Sequence, residues 1–433
     1  MAQAAPQKLL LVFSQTFVPD PASVGQHMTD VAVEMARRGH RVRVYTSARG
    51  YEDARVKYPR REMYQGVDIR RLSLSGFGKK NLLIRAFGTF TFMCQCIFLG
   101  LFTPRVAGIF FSTSPPLIGV AASIARFFRR VPIAYWAMDL NPDQLIAMGK
   151  IKEKSLTARV LEGVNRQILK RSQLIVALDR FMAERLNQRG DYAAKMLVMP
   201  PWPHEDHMEL PADQAHNPFR TRHALAGKFV VMYSGNHSPA NPLATLLAAA
   251  VRLKGDDRIK FLFVGGGLGK KEVEKVIAEH ALTNALSLPY QPIEKLGESL
   301  SAADVHVVSM GDNMVGIIHP CKIYGAMAVG RPILYLGPKP SHVSDILGWH
   351  NCGGHVKHGD VEGCIEALLK MTSTPPQELA RMGQEARAAL EASYTQTILC
   401  GHFCNALEAM LQRRAIPVGA WKPTGEAVKP SAV

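Results

Sequence analysis

Leu9-Leu10-Leu11-Val12-Phe13 is five apolar residues in a row, followed by a loop-like stretch, residues 14–25, rich in Pro, Asp, Ser and Gly. A short unbroken apolar run reads as a strand covered on both faces, as in a parallel sheet. Over residues 27–38 the apolar Met28, Val31, Ala32, Met35 and Ala36 recur at helical spacing, and Gly39 stands where a helix ends. Val42, Val44 and Tyr45 open the next strand. Strand, loop, helix, strand is one step of a doubly wound α/β sheet.

The step repeats outward from there. Residues 107–111, 133–136, 174–178 and 196–199 read as strands, with helices at 117–128 (after Pro115-Pro116), 155–169 and 181–189. Pro200-Pro201-Trp202-Pro203 stops this half, and the polar stretch 208–217 is the expected linker. The pattern then restarts with strands at 229–233, 260–264, 286–288, 305–308 and 333–336. Helices run between them, including 243–253 and 323–329, and helices at 361–371, 376–390 and 397–413 close the fold. The reading is two Rossmann-like domains, 1–207 and 218–414, facing across a cleft. The last helix is expected to pack back on the first domain, and residues 415–433 to form a disordered tail. A chain of 433 residues suits two cores.

Composition narrows the function. Hydrophobic residues make up 47% and charged residues 20%, which fits a globular chain. Lysine and arginine exceed aspartate and glutamate by 52 to 36, a net +16 that favours phosphates, nucleic acid or an anionic membrane surface as partners. No basic–aromatic repeat or nucleic-acid-binding motif is present, so nucleic acid is not expected. The seven cysteines, Cys94, Cys96, Cys321, Cys352, Cys364, Cys400 and Cys404, form no C-x-x-C pair and point to reduced thiols and a cytoplasmic protein. Residues 1–8 lack a long apolar core, so no secretory signal is expected. Residues 86–102 carry no charge and are flanked by Lys79, Lys80, Arg85 and Arg105. As a helix they would reach about 25 Å, short of the roughly 30 Å hydrocarbon core. Three placements are open: a membrane-surface or partly inserted helix, a buried core helix, or a true span. The basic flank favours the first.

Four loops at strand ends carry chemistry, where helix N-termini and loop amides converge. In the first, Gly25 precedes a helix and permits close approach of a ligand, or is part of an ordinary turn. The second, residues 135–143, sets Asp139 and Asp143 beyond a strand. Either can orient an acceptor hydroxyl or take its proton, or can cap the helix expected near Gln144. The third, Gly235-Asn236-His237-Ser238, offers amides and donors to a phosphate. The fourth spans residues 311–330. Gly316 loosens its backbone, and Lys322 falls in the first turn of a helix beginning at Pro320. A lysine there opposes the helix dipole, which makes sense if an anion binds, the alternative being a solvated surface lysine.

These loops together resemble glycosyltransferase family 4. The resemblance spans residues 8–412. It rests on Phe17-Val18-Pro19, Arg38-Gly39-His40-Arg41-Val42, Thr113-Ser114-Pro115-Pro116, Asp139-Leu140-Asn141-Pro142-Asp143, Tyr233-Ser234-Gly235-Asn236 and Phe263-Val264-Gly265-Gly266-Gly267. It also rests on Ala302-Ala303-Asp304-Val305-His306, Pro320-Cys321-Lys322-Ile323-Tyr324-Gly325 and Gly330-Arg331-Pro332. The nearest likeness is to the subgroup that builds bacterial surface polysaccharides, such as colanic-acid and O-antigen transferases. The resemblance implies the GT-B fold and retaining transfer of a hexosyl or N-acetylhexosaminyl group from a nucleotide sugar, most often a UDP-sugar. It implies no metal and no cofactor.

By that resemblance the second domain holds the donor. Gly265, Gly266 and Gly267, with residues 288–290 and so Tyr290, would line the base pocket. Gly316, Ile317 and Ile318 would meet the diphosphate, with Gly235, Asn236, His237 and Tyr324 nearby. Gly25 would approach the donor phosphates from the first domain, and Asp139 and Lys322 would be catalytic. His27 and Asp143 would hold the acceptor, a saccharide or a sugar on a polyprenyl diphosphate. The enzyme would sit peripherally on the cytoplasmic face of the plasma membrane. Three positions depart from the family pattern. Ile317 and Gly325 stand where two glutamates are common, Asn236-His237-Ser238-Pro239 replaces a loop with an Arg/Lys pair, and Met138 replaces a histidine. Lys322 and His237 are the expected substitutes. The competing reading is a non-catalytic, membrane-associated partner that keeps the fold without the chemistry.

Overall fold

The structure is a computed structural model that describes residues 9–20, 22–50, 54–75, 82–204 and 208–423. The chain divides into two compact units. Unit 1 is Met1–Pro201 with Gly316–Ile318 and Thr397–Trp421, and unit 2 is Trp202–Val315 with His319–Gln396 and Lys422–Val433.

Unit 1 begins with strands β1 (Leu9–Phe13), β2 (Arg41–Ser47), β3 (Arg61–Tyr64), β4 (Val67–Leu72), β5 (Val106–Ser112), β6 (Ile133–Ala137), β7 (Leu174–Ala177) and β8 (Met196–Val198). Their order in the sheet is β8-β7-β6-β5-β1-β2-β4-β3, so the winding reverses between β5 and β1. All neighbours are parallel except β3 against β4. The first strand is covered on both faces, as its unbroken apolar run requires. Leu9, Leu11 and Phe13 share a core with Phe92, Cys96, Phe111 and Ile168, while Leu10 and Val12 point the other way and are equally buried.

Three features differ from expectation. The first helix starts earlier, at Ser23 rather than 27, so Gly25 lies in its first turn. A Cβ on Gly25 would sit 3.1 Å from the Phe17 amide nitrogen, so the close approach there is to this chain's own loop. The antiparallel β3–β4 pair has no counterpart in the expected elements. It turns through Gln65 and Gly66, both at positive φ, the geometry of a tight hairpin. The uncharged stretch 86–102 belongs to a longer helix, Leu82–Phe102, which is buried on one face and exposed on the other. No helix among the described residues is long and apolar enough to cross a membrane, which removes the spanning placement. Lys79 and Lys80, called as its basic flank, lie outside the described residues, as do 1–8.

Unit 2 holds β9 (Phe229–Asn236), β10 (Ile259–Gly266), β11 (Ala285–Leu288), β12 (Val305–Ser309), β13 (Ile333–Leu336) and β14 (Gly353–Val356) in the order β11-β10-β9-β12-β13-β14. This all-parallel 3-2-1-4-5-6 winding is that of a Rossmann sheet, and its reversal lies between β9 and β12. The covering helices seal a core through Leu246, Phe261, Phe263, Leu334 and Leu368.

The chain then returns to unit 1. On the Gln396–Leu411 helix, Phe403 packs 4.6 Å from the Trp136 ring and 5.4 Å from Phe110. Glu408 accepts from Arg38 at 2.9 Å and pairs with His40 at 2.8 Å. A two-residue strand, β15 (Gly419–Ala420), extends the sheet alongside β8, and the Trp421 amide donates to the Val198 carbonyl at 2.7 Å. Disorder is therefore not the state of residues 415–423, because β8 would otherwise present an open sheet edge that this segment satisfies. Residues 424–433 lie outside the described residues.

Candidate active site

In unit 2 the carboxyl ends of β9 and β10 run on as paired backbone, with Gly235 opposite Gly265 and Asn236 opposite Gly266. Gly265 sits at φ 131°, and a Cβ there would lie 2.1 Å from the Gly235 carbonyl oxygen. Only glycine permits that backbone contact. The His237 amide and its Nδ1–H both donate to the Gly266 carbonyl, at 2.7 and 3.3 Å. A carbonyl can only accept, so Nδ1 carries the proton and Nε2 is the acceptor nitrogen of a neutral ring. That Nε2 is buried and has no hydrogen-bond partner among the described residues. Burial first, then the Lys270 and Lys322 ammonium groups, hold His237 below its ordinary pKa against the main-chain bond that raises it.

Lys322 is the first residue of the Lys322–Ala328 helix, two residues beyond Pro320, the expected start of that helix. Its stem lies over Gly235, where a Cβ would meet Lys322 Cε at 2.7 Å. Its Nζ is 5.3 Å from the centre of the Tyr233 ring. Burial pushes the ammonium down to about 8. No carboxylate pairs with it among the described residues. Lys270, which the sequence reading missed, donates from Nζ to the Gly265 and Leu288 carbonyls, both at 2.8 Å, and so ties the ends of β10 and β11 together. Tyr290 lies over Gly266, within 2.9 Å of where a Cβ would stand, and is largely exposed. Gly235, Asn236, His237, Gly265, Gly266, Gly267, Tyr290 and Lys322 are thus brought together as one glycine-floored, cationic rim. Such a floor lets a ligand approach the backbone closely at the strand ends, and an ammonium with no carboxylate beside it among the described residues suits an anion.

Tyr324, expected near the donor, is buried instead in a side-chain network. Its hydroxyl lies 2.9 Å from His319 Nε2 and 2.8 Å from His342 Nε2. One hydroxyl proton serves only one ring, so the other histidine donates to it. His319 and His342 are 23 positions apart in sequence, and only the fold places them together.

In unit 1, Asp139 follows β6 and is half-buried. Burial pushes its carboxyl up to about 6. No hydrogen-bond donor reaches it among the described residues. Its poise suits a group that takes or shares a proton near neutral pH. His27 is buried, donates from Nδ1 to the Ser23 carbonyl at 2.8 Å, and meets Trp136 of β6 edge-on at 5.9 Å. Asp143 opens the Asp143–Ala147 helix without a side-chain capping bond. It is bonded to Arg189 and, at 3.4 Å, to Arg185, and Arg189 also binds Glu162 at 2.9 Å. This network holds Asp143 in place. Gly316 (φ 70°), Ile317 and Ile318 pack as part of unit 1: the Ile317 carbonyl accepts from the Leu140 amide at 3.0 Å, and a Cβ on Gly316 would stand 2.6 Å from the Phe181 carbonyl oxygen.

Comparisons with known proteins agree with this architecture. Residues 23–202 match the model of the Glycosyl transferase 4-like domain, and residues 217–389 match that of Glycosyl transferases group 1. The chain belongs to this family of glycosyltransferases, with the GT-B fold of two Rossmann-like domains. Among its relatives is a Pseudomonas aeruginosa protein named Probable glycosyltransferase WbjE, 22% identical over 70% of this chain and 75% of the relative. Another is an Escherichia coli (strain K12) protein named Putative colanic acid biosynthesis glycosyl transferase WcaI, 24% identical over 74% of this chain and 81% of the relative. Solved structures of similar fold include sucrose-phosphate synthase from Thermosynechococcus elongatus (TM-score 0.74, 15% identity, 94% of this chain and all of that one). Anabaena HepE in complex with UDP-glucose is similar as well (TM-score 0.69, 16% identity, 93% of this chain and all of that one).

Proposed function

We propose that this glycosyltransferase moves a sugar from a UDP-sugar to a saccharide acceptor carried on a polyprenyl diphosphate, in the assembly of a bacterial surface polysaccharide. The transfer keeps the anomeric configuration and takes place at the cytoplasmic face of the membrane. The observation that carries the donor half is the half-buried Lys322 ammonium over Gly235, with no carboxylate beside it among the described residues, at the glycine-floored ends of β9 and β10. A diphosphate would meet that charge where glycine lets a ligand approach the backbone. The colanic acid role in the name of one relative supports the polysaccharide context, and a solved structure of this fold with UDP-glucose supports the donor class.

In this reading no metal neutralises the leaving diphosphate. Lys322 and the loop amides take up the charge that develops as the bond between the anomeric carbon and the diphosphate oxygen breaks. His237 stays neutral and accepts a hydrogen bond from a hydroxyl of the donor at Nε2, which also resolves its unsatisfied position. Lys270 fixes the strand ends on which the base rests, and Tyr290 offers it a ring face. Asp139, poised near 6, orients the acceptor hydroxyl. Thermal stabilisation of the protein by UDP, GDP and ADP at equal concentrations tests the donor assignment. Selective stabilisation by UDP, lost in Lys322→Met, is the expected result; none by any of the three, in a folded sample, sinks it. The absence of carboxylates at Ile317 and Gly325 favours a second reading, a non-catalytic partner subunit. UDP binding without turnover of UDP-sugars, with membrane extract as acceptor source, would select that one.

A further inference from the structure

The Leu82–Phe102 helix is apolar on two opposite faces. Its inner stripe, Gly88, Phe92, Cys96 and Gly100, is buried, and Phe92 and Cys96 join the unit 1 core. Its outer stripe is also apolar, with Phe87, Phe90, Phe98 and Phe102 each between 56% and 69% exposed. The neighbouring Gly119–Arg129 helix adds Phe127 and Phe128, 69% and 68% exposed, with their rings 5.1 Å apart. The two helices meet at their carboxyl ends. A Cβ on Gly100 would stand 3.2 Å from that of Ala125, and Arg129 donates to the Gly100 and Leu101 carbonyls at 3.0 and 3.1 Å. Phe98, Phe102, Phe127 and Phe128 therefore gather at one end, beside the exposed Arg105 and Arg130. Between Asp68 and Asp139 the sequence has nine basic residues and no acidic one.

Single exposed phenylalanines are ordinary, but a two-helix face carrying six, bordered by arginines that no local acid balances, is not. We propose that this face seats the protein on an anionic lipid bilayer. Phe98, Phe102, Phe127 and Phe128 enter the boundary between headgroups and acyl chains, and Arg105 and Arg130 meet lipid phosphates. The charge decides for lipid over a second copy of the chain, whose identical arginines would repel across the contact. The inference rests on the lipid-linked acceptor for its purpose, and it is tested without reference to transfer.

The test is flotation of the full chain with vesicles of phosphatidylcholine alone or mixed with phosphatidylglycerol. The intact protein floats with the mixed vesicles, and added salt weakens it. F98S/F102S/F127S/F128S, whose changes all fall on exposed positions, loses about a hundredfold in vesicle affinity. R105N/R130N, which keeps residues tolerant of the positive φ at both sites, loses about tenfold on mixed vesicles only. Both variants keep UDP stabilisation and the melting temperature, so failure here and failure of the donor reading are separate results. Vesicle binding unchanged in the phenylalanine variant overturns the proposal. So does no binding to any vesicle by a protein that forms dimers which F127S/F128S dissociates.

Discussion

Replacing Lys322 by methionine should make the ligand-free protein more stable and its hold on UDP weaker. A fall of the ammonium pKa from 10.5 to about 8 by burial corresponds to about 3 kcal/mol held against the charged form. The side chain keeps some solvent contact, which brings the destabilisation to about 1–2 kcal/mol. Methionine has nearly the same volume over Gly235 and no charge, so the melting temperature should rise by about 2–8 °C at pH 7. The sign with pH follows. A lysine depressed in the folded state weighs against folding below pH 8, and that burden fades as pH climbs from about 8 to 10.5. The gap between wild type and variant should therefore close over that window. For the ligand the direction reverses, because an anion in the site retains the proton. Losing a charge-assisted hydrogen bond to phosphate is worth about 1.5–3 kcal/mol, a rise in Kd of about 10- to 150-fold. Thermal melts at pH 7 and 10 with calorimetric titration of UDP read both effects. A variant that melts lower and binds UDP as before would refute the assignment of Lys322 to an anion.

Other outcomes follow from the same geometry. Asp139→Asn should lower kcat by about 10²–10⁴ with UDP affinity unchanged. The wild-type kcat should climb as pH rises through about 6, the range in which the Asp139 carboxyl loses its proton, and a pH–rate profile checks both. Gly265→Ala puts a Cβ 2.1 Å from the Gly235 carbonyl oxygen at φ 131°, so UDP stabilisation should vanish even in the fraction that folds, as thermal shift would show. Truncation after Leu411 removes β15 and the Trp421 amide bond to Val198, and should destabilise unit 1 by about 1–3 kcal/mol in urea unfolding.

The sheets were legible because parallel strands covered on both faces leave unbroken apolar runs, as at residues 9–13 and 229–233. The β3–β4 hairpin escaped because it alternates. Val67, Ile69 and Arg71 face inward with polar neighbours between them, a pattern hidden from a search for runs. Ser23 through Gln26 read as loop because Ser and Gly suit loops, yet packing holds them in a helical turn. The rim of unit 2 was legible as glycines at strand ends beside Lys322. Lys270 was not, since its partners are carbonyls and nothing in a sequence marks a carbonyl as bonded. Phe127 and Phe128 read only as the end of the 117–128 helix; the angular step from Ala121, Ala122 and Ala125 turns them outward. His319 and His342 are joined only by tertiary structure.

Glu408, Phe403 and β15 come from the last forty residues of the chain, yet they complete the unit that starts at Leu9. Unit 2 is in effect an insertion within a discontinuous unit 1. During synthesis, Trp136 and Phe110 leave the ribosome roughly 270 and 290 residues before the phenylalanine that covers them, while unit 2 has all its strands long before the end. Vectorial folding should therefore finish the second unit before the first. A premature stop between residues 397 and 402 would release a chain that has every strand of its second unit and whose first is left with an uncovered aromatic face.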